Sequence, residues 1–344
     1  MRRAIQLGKN AMGSAAPNPM VGAVIVSKDQ IIGEGYTSAY GGSHAEVNAV
    51  NAVKNQDLLA EATLYVTLEP CSHYGKTPPC CDMIIAHRIP KIVIGLQDPN
   101  PKVSGQGIQR LRNNGCEVSV GVLEAECREH HKRFLMFQEH KRPYIKLKWA
   151  ESKDGYIAPK EDKRDSATEP FWITNPYSRQ LVHQYRSETM AILVGTTTVL
   201  RDNPSLTTRD WYGTHPIRVV LDRSLRIGLD HKIYDSATPT IVFTAEKDLP
   251  NTKDSAITYE KIDFSKALPE QICACLYQNN IHSLLVEGGQ QTLQTFIDAD
   301  LWDEALVFRG DSNLGDGLRA PKLKGDYALQ GQLLKDTLTT ILHD

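Results

Sequence analysis

Five short runs in the second half of the chain are apolar almost without interruption: MAILVG at 190–195, IRVVLD at 217–222, TIVFTA at 240–245, SLLVEGG at 283–289 and EALVFR at 304–309. A strand with one wet face alternates between apolar and polar residues. A strand buried on both faces does not, and such strands occur where helices cover both sides of a sheet. Segments with helical spacing, NPYSRQLVHQYR and QQTLQTFIDADL, fall between some of the runs, and ICACLYQ reads as an apolar helix segment whose Cys273 and Cys275 are ordinary buried thiols. Parallel strands with helices on the faces are expected.

The first half carries the same rhythm in a different sequence. A short helical pattern over 3–12 is broken by APNP, and VGAVIVS at 21–27 and IIGEGYT, joined by the turn KDQ, read as a hairpin. HAEVNAVNAVK at 44–54 has helical spacing, ATLYVTLEP at 62–70 is a strand, and a helix after Cys80 leads into KIVIGLQDP, with CEVSVGVL at 116–123 closing the series. An α/β sandwich with a largely buried sheet follows. The charged run REHHKRFLMFQEHKRP ends at a proline, after which YIKLKWA begins a new strand, so the boundary falls near residue 142. Two domains, 1–142 and 143–344, are also what 344 residues require, because one hydrophobic core seldom organises that many.

Seven cysteines make an odd number for a disulfide framework, and three of them crowd into 71–81. Clustering of that kind favours a metal over bridges where thiols stay reduced. At the start of a helix, His44 and Glu46 project from one turn, while Cys71 follows a strand and Cys80 opens the next helix, where a thiolate is stabilised. One imidazole and two thiolates are three ligands for zinc, with a fourth position open. The other reading is a closed structural site with Cys81 or His73 as fourth ligand. H-A-E followed by P-C and a second cysteine matches the zinc deaminase signature, in which the centre acidifies a water for attack on an amidine-like ring carbon and the glutamate shuttles the proton. Glu46 is the expected general acid/base.

Eight residues, SHYGKTPP, separate the two cysteines where the usual gap is two. His73 and Lys76 in that insert suit an anionic group on a small substrate, or else form a solvated loop; Asn18 in APNPMVGAVIV offers an amide to a heterocycle edge. The 39 basic and 41 acidic side chains nearly cancel, which argues against nucleic acid as a partner, and no 18-residue apolar segment suggests a membrane span. A cytoplasmic enzyme is expected.

With APNPMVGAVIV, HAEVNAV and LEPCSHYGKTPPC in place, the first half resembles the pyrimidine deaminase domain of the bifunctional riboflavin-biosynthesis deaminase/reductase. PYIKLKWAESKDGYIA, WITNPYSRQLVHQYR, AILVGTTTVLRDNPSLTTR, IRVVLD and LLVEGG resemble its reductase domain in order and spacing. The resemblance implies a cytidine-deaminase-like three-layer α/β/α domain followed by a dihydrofolate-reductase-like α/β domain. It implies zinc and NADPH as cofactors and a phosphorylated pyrimidine as substrate, which loses its ring amino group and then has its ribosyl group reduced to ribityl. A homo-oligomer, dimer or tetramer, is the expected assembly. By matching positions it implies zinc on His44, Cys71 and Cys80, Glu46 as proton shuttle, and Asn18, His73 and Lys76 on the substrate. In the reductase half it implies Trp172, Thr174, Arg186, Asp202, Leu206, Arg209 and Glu287 near the substrate, and Thr196, Thr197, Thr198, Asp222, Gly288 and Gly289 against the cofactor. Thr37 stands where members usually have a substrate-contacting histidine, Pro170 where they commonly have serine, and FRGDSNLGDG at 308–317 departs from the usual strand ending.

Read without the resemblance, GTTT is a threonine-rich turn whose N–H groups and hydroxyls could cradle phosphate, and VEGG is a glycine turn that also occurs for structural reasons alone. No G-x-G-x-x-G is present. Asp202 and Arg209 are either a capped turn with a surface charge or a carboxylate for ribose hydroxyls and a guanidinium for phosphate. Two other functions fit parts of the pattern: a nucleotide cytosine deaminase with an unrelated C-terminal domain, and a zinc-stabilised binding module without turnover.

Overall fold

The computed structural model describes residues 1–74, 78–100, 103–160, 170–250, 255–323 and 327–343, and divides the chain into two compact units, Met1–Arg142 and Pro143–Asp344.

The first unit is built on a five-stranded sheet. Its elements in chain order are α1 (Arg2–Gly8), β1 (Gly22–Ser27), β2 (Gln30–Tyr36), α2 (Ala45–Asn51), β3 (Thr63–Val66), α3 (Cys80–Ala86), β4 (Lys91–Ile94), α4 (Gln106–Asn113), β5 (Glu117–Val120), α5 (Glu124–His130) and α6 (Lys132–His140). The sheet runs β2-β1-β3-β4-β5, antiparallel across β2, β1 and β3 and parallel across β3, β4 and β5. Parallel pairing needs a crossover, and α3 supplies the one between β3 and β4. The loop leaving β3 and the start of α3 therefore lie at one end of the sheet, and Cys71 and Cys80 sit there. Ile25, Leu64, Ile92 and Ile94 from the sheet pack with Ala49, Ile84 and Leu111 from the helices into one fully dry core. Gly35 in β2 makes room for α2: a Cβ there would collide with the Ala45 carbonyl oxygen and the Ala49 backbone nitrogen. The helix backbone thus lies directly on the strand, which fixes where its first turn points.

The second unit contains β6 (Tyr144–Glu151), β7 (Tyr156–Ala158), α7 (Pro176–Ser187), β8 (Ala191–Gly195), α8 (Thr196–Asp202), β9 (Ile217–Leu221), β10 (Thr240–Thr244), β11 (Ile257–Lys261), α9 (Leu268–Gln278), β12 (Ser283–Gly288), α10 (Gln290–Asp298), β13 (Glu304–Arg309), β14 (Leu318–Arg319), β15 (Tyr327–Leu333) and β16 (Asp336–Leu342). Its nine-stranded sheet runs β11-β10-β9-β8-β12-β6-β13-β16-β15. The five apolar runs are all in its parallel part, and the sheet buries residues on both faces, Leu193, Val219 and Phe243 on one and Ile192, Val220 and Val242 on the other. The closing hairpin β15–β16 pairs antiparallel on β13 and was not expected from the sequence. Neither YALQGQL nor DTLTTIL alternates strictly or carries much apolar weight, so a local pattern does not announce them.

The departure at 308–317 has a structural role. Asp154, in the turn between β6 and β7, accepts the backbone N–H groups of Leu314 (3.0 Å) and Gly315 (2.7 Å), and Arg309 pairs with the buried Glu151 at 2.7 Å. The segment is tied back to β6 and β7 by polar contacts. No helix among the described residues is long and apolar enough to cross a membrane.

Candidate active sites

In the first unit, His44 is the extended residue preceding α2, so its ring leaves the helix end without capping it. Its Nδ1 lies 3.5 Å from Cys71 Sγ and 3.3 Å from Cys80 Sγ, and the three donor atoms fall within 4.8 Å of one another. The Cys80 thiol donates to the Cys71 sulfur, as does the Cys80 backbone N–H at 3.2 Å, and His44 adds to them, so Cys71 is held down at about 4 while the same bond pushes Cys80 up. An acidic thiol, a second thiol and an imidazole at this spacing fit zinc, with three protein ligands and one position left over. Glu46 is 3 % exposed in the first turn of α2, and burial, then the Cys71 sulfur, pushes its carboxyl up to about 7. A carboxyl that ionises near neutrality is suited to moving a proton in both directions.

The closed alternative finds no support. Cys81 turns its sulfur into the core, 3.4 Å from the Pro70 carbonyl, and burial pushes its thiol up; His73 is exposed on the loop. Among the described residues only His44, Cys71 and Cys80 converge. Asn18 is half-buried ahead of β1, and Lys76 lies outside the described residues. Thr37 is buried and bridges backbone, accepting from the Val21 N–H at 3.0 Å and donating to the Pro19 carbonyl at 3.0 Å. It shapes the segment that follows Asn18 and offers nothing outward.

Two residues that sequence reading passed over hold this site. The buried Glu69 accepts four backbone N–H groups, from Asp98 (3.1 Å), Gly105 (3.0 Å), Gly107 (2.9 Å) and Ile108 (3.2 Å), and so binds the start of α4 beneath the Pro70–Cys71 turn. Arg110 pairs with Asp82 of α3 and donates to the Ser72 carbonyl at 2.9 Å, which pins the loop leaving Cys71. A carboxylate next to Pro-Cys was the one available signal for the first; the second had none.

In the second unit a cavity of about 1090 Å³ opens at the carboxyl ends of β8, β9 and β12. Trp172, Thr174, Arg186, Asp202, Leu206, Arg209 and Glu287 line it, as do Thr196, Thr197, Thr198, Gly288 and Gly289. A crevice at strand carboxyl ends is where open α/β sheets bind ligands. The walls close tightly: Gly195 lies where a Cβ would meet Thr292 Oγ1 at 2.8 Å, so the end of β8 and the first turn of α10 touch. Glu287 receives a two-pronged contact from Arg186, 2.8 Å on each arm, with Lys148 Nζ at 3.8 Å. Burial alone would push the Glu287 carboxyl up, but Arg186 and then Lys148 together outweigh it and hold it down at about 2. Burial pushes the Lys148 ammonium down.

Asp222 is the exception among the cofactor expectations. It is fully buried and absent from the cavity wall, accepting the Ile227 N–H at 2.9 Å and the Thr196 hydroxyl at 3.2 Å. The matched position implied a cofactor contact; its carboxylate instead closes the loop that follows the strand. Pro170 lines the cavity without a hydroxyl to offer, and Trp172 is half exposed with the Arg179 guanidinium 4.5 Å from its ring centre. His183 also went unread. Its Nδ1 accepts the Arg209 N–H at 3.2 Å, its Nε2 lies 3.2 Å from Asp210, and one turn later Arg186 donates to the Thr207 carbonyl at 3.2 Å. One face of α7 therefore holds the loop that carries Arg209.

Comparison with known proteins bears on both units. Residues 1–96 match the cytidine and deoxycytidylate deaminase zinc-binding region, and residues 143–341 match the RibD C-terminal domain. The riboflavin biosynthesis protein RibD of Aquifex aeolicus is 39 % identical over 321 residues, covering 92 % of this chain and 88 % of that protein. That of Escherichia coli is 35 % identical over 334 residues, covering 93 % and 89 %. The crystal structure of a diaminohydroxyphosphoribosylaminopyrimidine deaminase/5-amino-6-(5-phosphoribosylamino)uracil reductase from Thermotoga maritima superposes with a TM-score of 0.88 at 38 % identity, over 99 % of this chain and 97 % of that one. Acinetobacter baumannii RibD gives a TM-score of 0.88 at 32 % identity over the same shares.

Proposed function

We propose, from the premise that this chain belongs to the RibD family of bifunctional riboflavin-biosynthesis enzymes, that its two sites divide the family's two reactions as their chemistry suggests. The enzyme is a zinc-dependent pyrimidine deaminase joined to an NADPH-dependent reductase. The first site removes the ring amino group from 2,5-diamino-6-ribosylamino-4(3H)-pyrimidinone 5′-phosphate. The second reduces the ribosyl group of the product to ribityl.

For deamination, His44, Cys71 and Cys80 hold the metal. Zinc, when bound, supplies the Lewis acidity that makes water nucleophilic near neutral pH. Glu46 takes up the proton and delivers it to the departing amine. Asn18 reads the heterocycle edge, and His73 and Lys76 offer positive charge to the substrate's phosphate.

For reduction, Arg209 grips the phosphate, Trp172 and Leu206 bound the substrate, and Asp202 and Glu287 accept the sugar's hydroxyls. Thr196 to Thr198, Gly288 and Gly289 face the cofactor. NADPH, when bound, would supply the hydride for the sugar's C1 carbon, and the ring oxygen released from that carbon needs one proton. Lys148, whose ammonium burial makes more acidic against the opposing pull of Glu287, is suited to give it. Positioning carries most of the remaining burden.

The observation that carries the reading is the convergence of three zinc-type donors beside the buried Glu46, in a chain whose other unit has a cavity lined by every residue expected there except Asp222. Incubating the enzyme with the diaminopyrimidine phosphate tests it. Mass analysis should find a product about 1 Da heavier without NADPH and about 3 Da heavier with it, by the replacement of an amino group with oxygen and then the gain of two hydrogens. Turnover of dCMP in place of this substrate would sink the reading.

A further inference from the structure

The reductase cavity is far more basic than the chain that forms it. Among the described residues it is lined by eight lysines and arginines against two carboxylates, Asp202 and Glu287, although the whole chain carries a net charge of only −2. Several of these cations already have partners or roles. Arg186 and Lys148 face Glu287, Arg179 stacks on Trp172, and the proposed function gives Arg209 the substrate's phosphate. Arg201 is engaged as well, so Arg223, Arg226 and Lys232 are left over. All three side chains are exposed, and none has a carboxylate within ion-pair distance among the described residues.

These residues come from two loops whose backbones are fixed. Asp222 folds the first by accepting the Ile227 N–H at 2.9 Å, and the Arg223 carbonyl accepts the Ala245 N–H at 2.9 Å and the Thr244 hydroxyl at 3.0 Å. Arg223 and Arg226 are therefore presented from a closed turn directly after β9. Lys232 is anchored through its own N–H, which donates to Asn203 Oδ1 at 2.9 Å at the end of α8. The same Asp222 carboxylate holds Thr196, so one buried group sets the spacing between the cation loop and the threonine-rich turn.

A phosphorylated substrate with one monoester is satisfied by Arg209. Three more unpaired cations on the same cavity call for a second anion, and the cofactor has two kinds. Its diphosphate bridges two esters and is commonly met by backbone N–H groups, whereas a terminal monoester dianion is met by forked or mobile cations. We propose that Arg223, Arg226 and Lys232 recognise the 2′-phosphate of the adenosine ribose and make this chain prefer NADPH over NADH. The proposal rests on the reading of this cavity as the reductase site.

The test uses the full chain at fixed ionic strength. In Arg223→Ala/Arg226→Ala the Michaelis constant for NADPH should rise about ten- to hundredfold while those for NADH and the pyrimidine substrate change less than about twofold. The deaminase rate, unchanged, reports that the variant is folded. Calorimetry with two fragments separates the proposal from the reading beneath it. Unmodified enzyme should bind 2′,5′-ADP more tightly than 5′-AMP, and the double variant and Lys232→Ala should narrow that difference. Equal losses for NADPH and NADH would assign the cluster to the diphosphate, a rise in the pyrimidine constant would assign it to the substrate, and no change would return it to surface charge; each overturns the proposal. Absence of NADPH oxidation by the unmodified enzyme, with 2′,5′-ADP still preferred, would instead overturn the reductase reading and leave the anion site standing.

Discussion

Glu46 and Glu287 are both buried carboxylates, and their surroundings send them in opposite directions. Burial, then the Cys71 sulfur, pushes Glu46 up to about 7; Glu287 sits between Arg186 and Lys148, which outweigh burial and hold it at about 2. The contrast separates what their substitution should do. Glu46→Gln is isosteric and cannot shuttle a proton, so deamination should fall about 10²–10⁴-fold with zinc content and reductase rate unchanged, as metal analysis and paired assays check. A parallel loss of reductase activity would contradict the division of labour. Glu287→Gln leaves the Arg186 guanidinium buried without its counter-charge, and loss of one partner from such a pair costs about 3–5 kcal/mol, to be read from urea unfolding. Since the Glu287 carboxyl is depressed from an ordinary 4.5, its stabilising contribution is complete above that pH and disappears as the pH falls toward 2. Glu287 should therefore give the reductase pH profile no acid limb between about pH 5 and 8, and an acid limb there that Glu287→Gln removes would show the assignment to be wrong. Arg209→Ala should raise the pyrimidine Michaelis constant about ten- to hundredfold and leave that for NADPH alone, with lysine restoring only part, because a point charge does not reproduce a forked contact.

Among the elements, α2 shows how packing aims the turn that carries His44 and Glu46. Its backbone rests on β2 because Gly35 has no side chain, and Asn48 ties the pair by donating to the Tyr36 carbonyl at 2.8 Å and to Ser38 Oγ at 2.9 Å. Gly35→Ala forces the helix off the strand. Overpacking of this kind costs about 1–3 kcal/mol, and the displaced His44 should weaken zinc binding, which a competitive chelator titration measures. Unchanged zinc affinity would mean that His44 and Glu46 are positioned by the loop before α2. In the second unit α7 plays the corresponding part, since His183 and Arg186, one turn apart, hold the loop of Thr207 to Arg209 against the cavity. That His183 ring is neutral, since burial, then Arg186 and Arg209, push it down to about 4, and only a neutral ring can accept the Arg209 N–H.

At the scale of the whole molecule the two units have separate cores, Ile25 to Leu111 in one and Ile145 to Ile341 in the other, and share no core residue. Chelation should therefore abolish deamination and leave reduction of the deaminated substrate intact, which the two assays on one chelated sample check. The division into units was visible in the sequence because a charged run ending in Pro143 interrupts two stretches that alternate strand and helix, and each alternation is a local consequence of which faces must be dry. The convergence of His44, Cys71 and Cys80 was legible for a related reason: thiol and imidazole are few, and their chemistry suggests a metal before geometry does. Other features depended on contacts between residues far apart in the chain. Asp222 was expected against the cofactor from its matched position, yet its carboxylate is satisfied from Ile227 and Thr196, and Thr37 turned inward to the backbone of Pro19 and Val21. Glu69, Arg110 and His183 act through backbone groups far away in sequence, those of Gly105, Ser72 and Arg209. Residue type and spacing pointed to the chemistry of this protein; only the tertiary structure decided which polar side chains line a cavity and which satisfy the backbone, because a buried donor or acceptor must be paired and its partner is chosen by the fold.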